Sequence, residues 1–592
     1  MNTEIIIILA ILVVAVILFV TEKIPVDLVS LMVMAVLILI GVLTPEEGFM
    51  GFSNEATITI AAMYILSQGL FKTGVVNYIG RVFIKIFKRK FWVANGIMLF
   101  VSGIISAFIN NTTQVALTLP ILLKVAKEIK ISASKLLLPL SYATVFGGIL
   151  TLIGTSTNIL VSSLAKQQGQ PPFSMFEFTP LALIFFIVGL LYLIFIGIRL
   201  IPERRTVDDL TASFGLGEYL TEIIIKKESG FVGKKINEVS LVKDLGIEVI
   251  EVKRSDDRIL LPSPLTVIQE NDRLRIKCDV EKIKELKEKT GILLKPGLKW
   301  RDEELQGEDY ILVEAVISPH SFLIGKNLKG LRFRNSFGAT VLAIRHRGMI
   351  MYENVATTAL MAGDALLIEI SKINFERLRE NEAFVVVSEV EPPTFKKSKI
   401  VLSIVIMLGV VITASMEILP ISTAAIMGSI LLVLTRCISL ENAYKAINWQ
   451  VIMLLAGSIS LGLAMQKTGT AKFLAGSILS VAGSLGPNLI LSAFYLITLI
   501  LTEAMSNNAT AALMTPIAIS TAASLDLDPR PFLITVMFAA SLAFMMPIGY
   551  QTHLMIFNPG RYRIIDFIKV GTPLNIIFWI LASLLIPVFF PF

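Results

Sequence analysis

The sequence predicts a polytopic α-helical membrane protein of two inverted repeats with re-entrant hairpins and broken helices, plus two small cytoplasmic α+β domains between the repeats. Three observations predict this fold class. The 592 residues are 54% hydrophobic and only 17% charged, whereas a soluble domain carries about 25% charged residues. Long uncharged runs form two groups in one order, separated by the charged stretch 203–398. Polar residues interrupt these runs at equivalent places in both groups.

The first membrane repeat is predicted at 1–202. A helix needs roughly 17 to 25 residues to cross a hydrocarbon core of about 30 Å. Uncharged runs of about this length or more are 5–21, 28–45, 56–71, 91–123, 136–165 and 178–198. The run 91–123 is too long for one crossing and is basic at both ends, so we expect it to enter the membrane and return. The start of the chain has no basic n-region, so we expect the first run to stay in the mature protein.

The second membrane repeat is predicted at 399–592, because landmarks of the first repeat recur there. Pro25 returns as Pro420, 395 residues later, and Asn111 returns as Asn507, 396 residues later. Uncharged runs in this half end at Met416 and Thr435, and a third spans 446–466. The halves are therefore interpreted as two copies of one membrane unit.

Positive charge indicates how the two copies are oriented. Residues 72–90 contain six Lys and Arg residues, whereas the equivalent stretch 467–485 contains two. Basic loops collect on the cytoplasmic side, so equivalent loops lie on opposite sides and the repeats are inverted, as in many secondary transporters. Counting crossings then predicts a multi-pass protein of the cell inner (plasma) membrane with a cytoplasmic insert and both termini outside.

The stretch 203–398 is predicted to be a water-soluble insert that arose by duplication. The recurring positions, each repeated 92 residues later, are Gly233, Gly246, Val252 and Asp272, which return as Gly325, Gly338, Ile344 and Asp364. This period indicates two α+β modules at about 215–292 and 307–390. The segment 215–220 lacks the third glycine of a dinucleotide-binding turn. The basic triplet 345–347 is interpreted as a solvent-exposed strand end.

Two polar clusters lie where long apolar runs are expected to turn. They are Ser106, Asn110, Asn111 and Thr112 in the first half, and Thr502, Ser506, Asn507 and Asn508 in the second. Amides and hydroxyls at membrane depth cost several kcal/mol when they have no partner, so they need each other, water or a ligand. The alternative is that they only bridge packed helices.

Glycine and polar residues also interrupt two runs close to the ends of the repeats. They are Gly154, Thr155, Thr157 and Asn158 in the first repeat, and Gly549, Thr552 and His553 in the second. Such breaks free carbonyl groups for a cation and aim helix N-termini at an anion; the alternative is a simple glycine kink. Neither the clusters nor the breaks contain Lys or Arg, so a bound anion would depend on helix ends, amides, hydroxyls and a co-bound cation.

Oxygen-rich polar residues favour Na⁺ as the coupling ion, because a proton relay would need buried carboxylates or histidines. Glu503 and His553 are the candidates for such a relay. We interpret Glu503 as a structural hydrogen-bond partner, since Ala107 occupies its equivalent position, and His553 as a packing residue.

The membrane part resembles the divalent anion/sodium symporter (DASS) family of the ion transporter superfamily. The stretch 43–54 (LTPEEGFMGFSN) and the two hairpin tips carry the likeness. Asn110 and Asn508 depart from the family's Ser-Asn-Thr tip pattern. The insert resembles two TrkA-C (RCK-C) domains, which implies regulation by a small cytoplasmic ligand such as a cyclic di-nucleotide.

The resemblance implies a homodimer in lipid, an elevator-type mechanism and specific binding residues. It implies one sodium site at Ser106, Asn110, Asn111 and Gly154, and another at Thr502, Asn507 and Gly549. The substrate residues that it implies are Asn110, Asn111, Thr112, Ser506, Asn507 and Asn508. Thr155, Thr157, Asn158 and Thr552 would support the helix breaks.

The leading hypothesis is therefore sodium-coupled symport of a small divalent anion, either sulfate or a dicarboxylate. The alternatives are a sodium/proton antiporter or oxyanion exporter of the same superfamily, an RCK-gated ion channel, and a membrane sensor. An enzyme is the least favoured class, because no nucleophile, base and orienting group assemble by motif. No nucleic-acid partner is expected.

Overall fold

A computed structural model describes the chain except for residues 1–2, 22–23, 75–90, 130, 204–219, 240–247, 255–256, 261, 264, 278–291, 295–309, 319–320, 347–348, 352–354, 382, 387–396, 483–485 and 548. The basic stretch used to orient the repeats lies largely outside the described residues, as does Arg347. Two compact units are present, one formed by Met1–Arg204 with Glu389–Phe592 and the other by Arg205–Ser388.

The first half of the helical unit contains nine helices among its described residues. They are α1 (Thr3–Thr21), α2 (Val26–Leu39), α3 (Pro45–Phe49), α4 (Glu55–Thr73), α5 (Phe91–Ser106), α6 (Asn111–Glu128), α7 (Ser134–Gly148), α8 (Ser156–Gln167) and α9 (Thr179–Tyr192). A π-helical turn, Leu193–Gly197, extends α9 to Leu200. The run 91–123 forms two helices joined by a short turn, and the run 136–165 is broken between α7 and α8, as predicted.

The second half follows the same order. After α10 (Phe333–Phe337) and α11 (Lys372–Glu380) in the insert, its helices are α12 (Lys397–Ser415), α13 (Ile421–Leu434), α14 (Leu440–Ala446), α15 (Trp449–Lys467), α16 (Thr470–Ala482), α17 (Pro487–Ala504), α18 (Asn507–Ser524), α19 (Arg530–Ser541), α20 (Gln551–Phe557) and α21 (Ile564–Phe589). Helices α17 and α18 form a second helix pair with a short turn, and the chain is again broken between α19 and α20.

Local sequence signals explain two helix boundaries that the apolar runs placed wrongly. The run 28–45 stops being helical after Leu39, and α3 starts anew because Thr44 and Glu47 cap it reciprocally. The predicted span 446–466 in fact begins at Trp449, since the Asn448 side chain accepts the Val451 amide hydrogen and so caps α15. A hydropathy pattern shows how long an apolar run is, but it does not show the capping side chains that fix where a helix begins.

Among the described residues, five helices are long and apolar enough to cross a membrane. They are Thr179–Leu200, Ser398–Ser415, Trp449–Lys467, Pro487–Ala504 and Ile564–Phe589. Helix α15 packs closely against α2 because Gly457 has no side chain: a Cβ there would lie 2.3 Å from the Ser30 carbonyl oxygen. The five long apolar helices support a multi-pass membrane protein.

Among its described residues, the insert contains two five-stranded antiparallel sheets that share the same strand order. The strands are β1 (Leu220–Ile225), β2 (Glu248–Arg254), β3 (Asp257–Leu260), β4 (Arg273–Lys277), β5 (Ile292–Leu294), β6 (Tyr310–Ile317), β7 (Ala339–His346), β8 (Met349–Met351), β9 (Ala365–Ser371) and β10 (Phe384–Val386). The orders are β3-β2-β4-β1-β5 and, in reverse, β10-β6-β9-β7-β8. Both sheets have a register shift, in β2 at Val249/Glu251 and in β7 at Val341/Ala343. Helices α10 (Phe333–Phe337) and α11 (Lys372–Glu380) belong to the second sheet's half of the insert.

The interpretation of the basic triplet as a solvent-exposed strand end is wrong for Arg345. Its side chain is only 5% exposed and lies 3.5 Å from Glu314. His346 is close to Asp364, with 3.0 Å between the imidazole Nδ1 and the carboxylate. Side chains on an inner strand of a sheet are covered by the adjacent strands. A charged side chain can be buried there when an opposite charge pairs with it.

Candidate functional site: two hairpin tips and two helix breaks

The first hairpin tip is the turn between α5 and α6. The Ser106 hydroxyl donates a hydrogen bond of 2.6 Å to Oδ1 of Asn111, and both residues are buried. Asn110 accepts the backbone N–H of Thr112 at 2.9 Å, which shapes the turn in front of the helix. Two of the predicted site residues therefore bind each other, and the tip presents amide and hydroxyl groups.

The second hairpin tip, between α17 and α18, repeats this arrangement with different side chains. Thr502 Oγ1 lies 2.9 Å from the Asn507 amide and donates to the Ala540 carbonyl oxygen at 2.9 Å. The Asn507 NH₂ group faces this hydroxyl and donates to the Ala540 and Gly549 carbonyl oxygens at 3.3 Å each. Three oxygen atoms thus surround the NH₂ end of Asn507. The Ser506 hydroxyl caps α18 by accepting the Ala509 N–H.

The first helix break, between α7 and α8, is tied to the first tip. Thr151 donates to the Ala107 carbonyl oxygen and accepts the Gly154 N–H at 3.1 Å. Asn158 donates to the Thr151 carbonyl oxygen at 3.0 Å, whereas its own Oδ1 is buried and has no hydrogen-bond partner among the residues that the structure describes. A Cβ at Gly154 would lie 2.4 Å from the Gly148 carbonyl oxygen. Only glycine fits at this point of the break.

The second break, between α19 and α20, is tied to the second tip. The Glu503 carboxylate accepts the backbone N–H groups of Phe544 and Met545 at 2.9 Å and of Met546 at 2.8 Å. The Asn575 amide on α21 donates to the same carboxylate at 2.7 Å. Glu503 is therefore a hydrogen-bond acceptor that holds the unwound chain, in agreement with the sequence interpretation.

Each tip also contacts the break of the opposite half. In one direction Asn111 donates to the Tyr550 hydroxyl at 2.7 Å, and Thr112 donates to the Gln551 side chain at 3.1 Å. In the other direction Asn508 accepts hydrogen bonds from Ser156 at 3.0 Å and Thr157 at 3.3 Å. These crossed contacts bring two segments about 440 residues apart in the chain into one polar centre.

The electrostatic character of this centre comes from backbone dipoles. Helices α6, α8 and α18 begin at Asn111, Ser156 and Asn507, so their N-termini lie at the contacting residues. A helix N-terminus carries a partial positive charge of roughly half a unit. The tips and breaks contain Glu503 and His553 but no Lys or Arg.

His553 is buried, and both of its ring nitrogens have hydrogen-bond partners. Its Nε2 donates to the Ala543 carbonyl oxygen at 3.2 Å, and its Nδ1 lies 2.7 Å from the Ser141 hydroxyl. Tyr142 packs beside the ring. This arrangement agrees with the interpretation of His553 as a packing residue, and Thr552 is buried next to it with its hydroxyl 3.4 Å from Nδ1.

The structure brings four of the predicted site residues into contact across the two halves, namely Asn111, Thr112, Thr157 and Asn508. Asn110 and Ser506 bond only within their own turns. The structure also adds residues that the sequence did not single out. The additions are Thr151, Ser156, Ala540, Tyr550, Gln551 and Asn575. Tyr550 and Gln551 stand inside the second broken run, so their polarity was the available signal. Thr155, directly before α8, also hydrogen-bonds the Tyr550 hydroxyl.

Comparison with known proteins shows which family the chain belongs to. Residues 16–528 match the model of a family described as citrate transporter (CitMHS). The chain is 39% identical to an uncharacterized transporter of Synechocystis sp. over 98% of this chain and 96% of that protein. It is 31% identical to an uncharacterized transporter of Escherichia coli over the whole of both chains. Identity to sodium/sulfate cotransporter 2 of Chlamydomonas reinhardtii is 23%, over 92% of this chain and 85% of that protein.

These matches confirm the superfamily that the membrane part resembles, and the likeness of the insert to TrkA-C domains stays a prediction. A family model that covers most of the chain and relatives aligned over their full lengths lead to one conclusion: the protein belongs to the citrate transporter (CitMHS) family and is a membrane transporter of that type.

Proposed function

We propose that this transporter carries a small divalent anion, sulfate or a dicarboxylate, across the membrane together with Na⁺. The crossed contact between the tips and the breaks is the observation that carries the proposal. It assembles amides, hydroxyls and three helix N-termini from both halves at one place. Such an arrangement suits an anion that must be bound and then released, because no fixed cationic side chain would hold it.

The anion would contact the tip residues of both hairpins, which are Asn110, Asn111, Thr112, Ser506, Asn507 and Asn508. Thr112 and Asn508 already use their side chains for contacts to Gln551 and Ser156. A cargo that enters between the tips replaces these contacts by its own hydrogen bonds.

Na⁺ would neutralise the anion at two oxygen-rich places. The first comprises Ser106, Asn110, Asn111 and the backbone at Gly154, and the second comprises Thr502, Asn507 and the backbone at Gly549. Hydroxyl, amide and unwound carbonyl oxygens are typical Na⁺ ligands in broken-helix transporters. The Thr502 hydroxyl and the Ala540 and Gly549 carbonyl oxygens converge on the Asn507 NH₂ group, and a cation that displaced this group would meet the same three oxygens. The second site therefore also includes the Ala540 carbonyl oxygen. The name of the Chlamydomonas relative supports sodium coupling.

An antiporter that exchanges protons through Glu503 is less favoured. The two carboxylate oxygens already accept four N–H groups, and none of these donors could accept a proton. Protonation would therefore break contacts that hold the second break.

The proposed mechanism is elevator-type movement of one helix group against another in a homodimer of inverted repeats. Hydrogen bonds link α4 to α12 and α13 in one group, through Thr73–Ser403 and Ser429–Ala62. Tyr142 links α7 to the second break in the other group. The groups meet where α4 begins, in the 2.6 Å ion pair between Lys166 and Glu55. The insert would regulate this movement as a pair of TrkA-C-like domains with a cyclic di-nucleotide effector.

Uptake by proteoliposomes tests the proposal. We expect radiolabelled sulfate or succinate to accumulate when Na⁺ is present outside, and to remain outside when choline replaces Na⁺. Flux that is independent of Na⁺ would contradict the coupling. Single-channel current steps in planar bilayers would contradict the carrier mechanism and favour the channel alternative.

A further inference from the structure

The two breaks are stabilised in chemically different ways. In the first, Thr151 and Asn158 satisfy the unwound backbone with neutral groups. In the second, the side chain of Glu503 does so. Because Ala107 stands at the position equivalent to Glu503 and residues 148–158 contain no acid, only the second of these two assemblies contains a negative charge.

The unwound chain explains why the second break needs an acceptor. Helix α19 ends at Ser541, and residues 542–546 are not helical, so the N–H groups of residues 544–546 have no helical partners. Three consecutive N–H groups then point at one carboxylate. Leaving them unpaired at membrane depth would be strongly destabilising, because no water is present there to bond them. Ionised acceptors make stronger hydrogen bonds to N–H groups than neutral acceptors do.

Glu503 also adjoins the second proposed sodium site through the backbone. Its neighbour Thr502 donates to Ala540 and contacts Asn507. Gly549 lies against the same backbone, since a Cβ there would be 2.9 Å from the Thr502 carbonyl oxygen and 3.9 Å from the Glu503 Cα. The residue that clamps the break is therefore next to the oxygens that would bind the cation.

We infer that Glu503 is a positioning residue with a fixed negative charge, which makes the second cation site tighter than the first, so that Na⁺ fills it first. The inference rests on the proposed sodium coupling and deepens it. Two effects act together: the carboxylate holds the Ala540 and Gly549 carbonyl oxygens in place through the chain between them, and its charge attracts a cation in surroundings of low dielectric constant. The first site has a similar arrangement of oxygen atoms beside a helix break but no neighbouring carboxylate.

Sodium titration of the full-length protein in lipid nanodiscs, without anion, tests this order. Apparent unfolding temperature is followed while Na⁺ replaces choline at constant ionic strength, because a ligand that binds only the folded state raises stability. We expect Glu503→Gln to require about ten-fold more Na⁺ for the same stabilisation. Glu441→Gln, which removes an exposed carboxylate from α14, should leave the midpoint unchanged.

Double variants separate an effect on the second site from a general loss of structure. Glu503→Gln should add nothing further to the loss of sodium affinity caused by Thr502→Ala, and it should add fully to the loss caused by Ser106→Ala. The affinity for sulfate at saturating Na⁺ should change less than three-fold, roughly within the scatter of such substitutions. Additive losses with Thr502→Ala would overturn the inference.

A second comparison does not depend on whether Glu503→Gln folds. If the second site fills first, Thr502→Ala removes the response at low Na⁺, and Ser106→Ala removes only the response at high Na⁺. The opposite order, or equal losses, overturns the inference. An unaltered midpoint in folded Glu503→Gln overturns this inference alone, whereas a wild-type protein with no sodium response overturns the proposed function as well.

Discussion

Replacing Gly154 with alanine tests the close approach of the first break to the first tip. The added Cβ would lie 2.4 Å from the Gly148 carbonyl oxygen and 3.1 Å from that of Ala107. Both neighbours are backbone atoms, so neither can rotate away as a side chain would. Overpacking of this kind costs about 1–3 kcal/mol, and here it would shift the Gly154 backbone that is proposed to bind Na⁺.

We therefore expect Gly154→Ala to lower apparent thermal stability and to reduce sodium-dependent uptake at least about ten-fold, since 1.36 kcal/mol corresponds to a factor of ten. Gly409→Ala is a matched control, because a Cβ at that position in α12 meets no atom within 4 Å. It should leave uptake unchanged. Uptake and sodium dependence of Gly154→Ala equal to those of the wild type would refute the argument that this break forms part of the site.

Three further predictions follow from the site and its surroundings. Thr112→Ala and Gln551→Ala should each raise the KM for the anion several-fold, and the double variant should show less than the sum of the two losses, because the side chains contact each other at 3.1 Å; fully additive losses would contradict a shared role. The hydrogen bond from Lys467 lowers the pKa of Glu47 below its usual 4.5. This pair therefore stabilises the fold above that pH and the stabilisation is lost as the pH falls through the depressed value, so Glu47→Gln should lose less thermal stability on acidification than the wild type; equal acid sensitivity would exclude a contribution from the pair. Replacing Na⁺ with choline should abolish thermal stabilisation by sulfate or succinate, and stabilisation that survives this exchange would contradict cooperative binding of the two ions.

Sequence reasoning was most successful where the bilayer leaves the chain few options. Apolar runs must form helices in lipid because every backbone hydrogen bond has to be made within the segment. Runs too long for one crossing, such as 91–123, had to turn, and the turn at 107–110 lies where the polar residues stand. Amides and hydroxyls at such a turn could be recognised in the sequence because polar groups in lipid also need hydrogen-bond partners.

The reasoning failed where tertiary neighbours decide the environment of a residue. Arg345 belongs to a strongly charged stretch, yet its strand runs in the middle of a sheet and Glu314 on another strand neutralises it. Tyr550 and Gln551 stood in a broken run that was recognised, but their roles depend on Asn111 and Thr112 in the other half.

By itself, the sequence determined the helical membrane part, the charged insert, the two polar turns and the two breaks, since each follows from local polarity measured against the cost of unpaired groups in hydrocarbon. Only the tertiary structure decided that each tip contacts the opposite break and that a carboxylate clamps one break but not the other. Contacts between segments about 440 residues apart leave no local pattern in the chain, because their partners are chosen by packing of the two halves and not by neighbours in sequence.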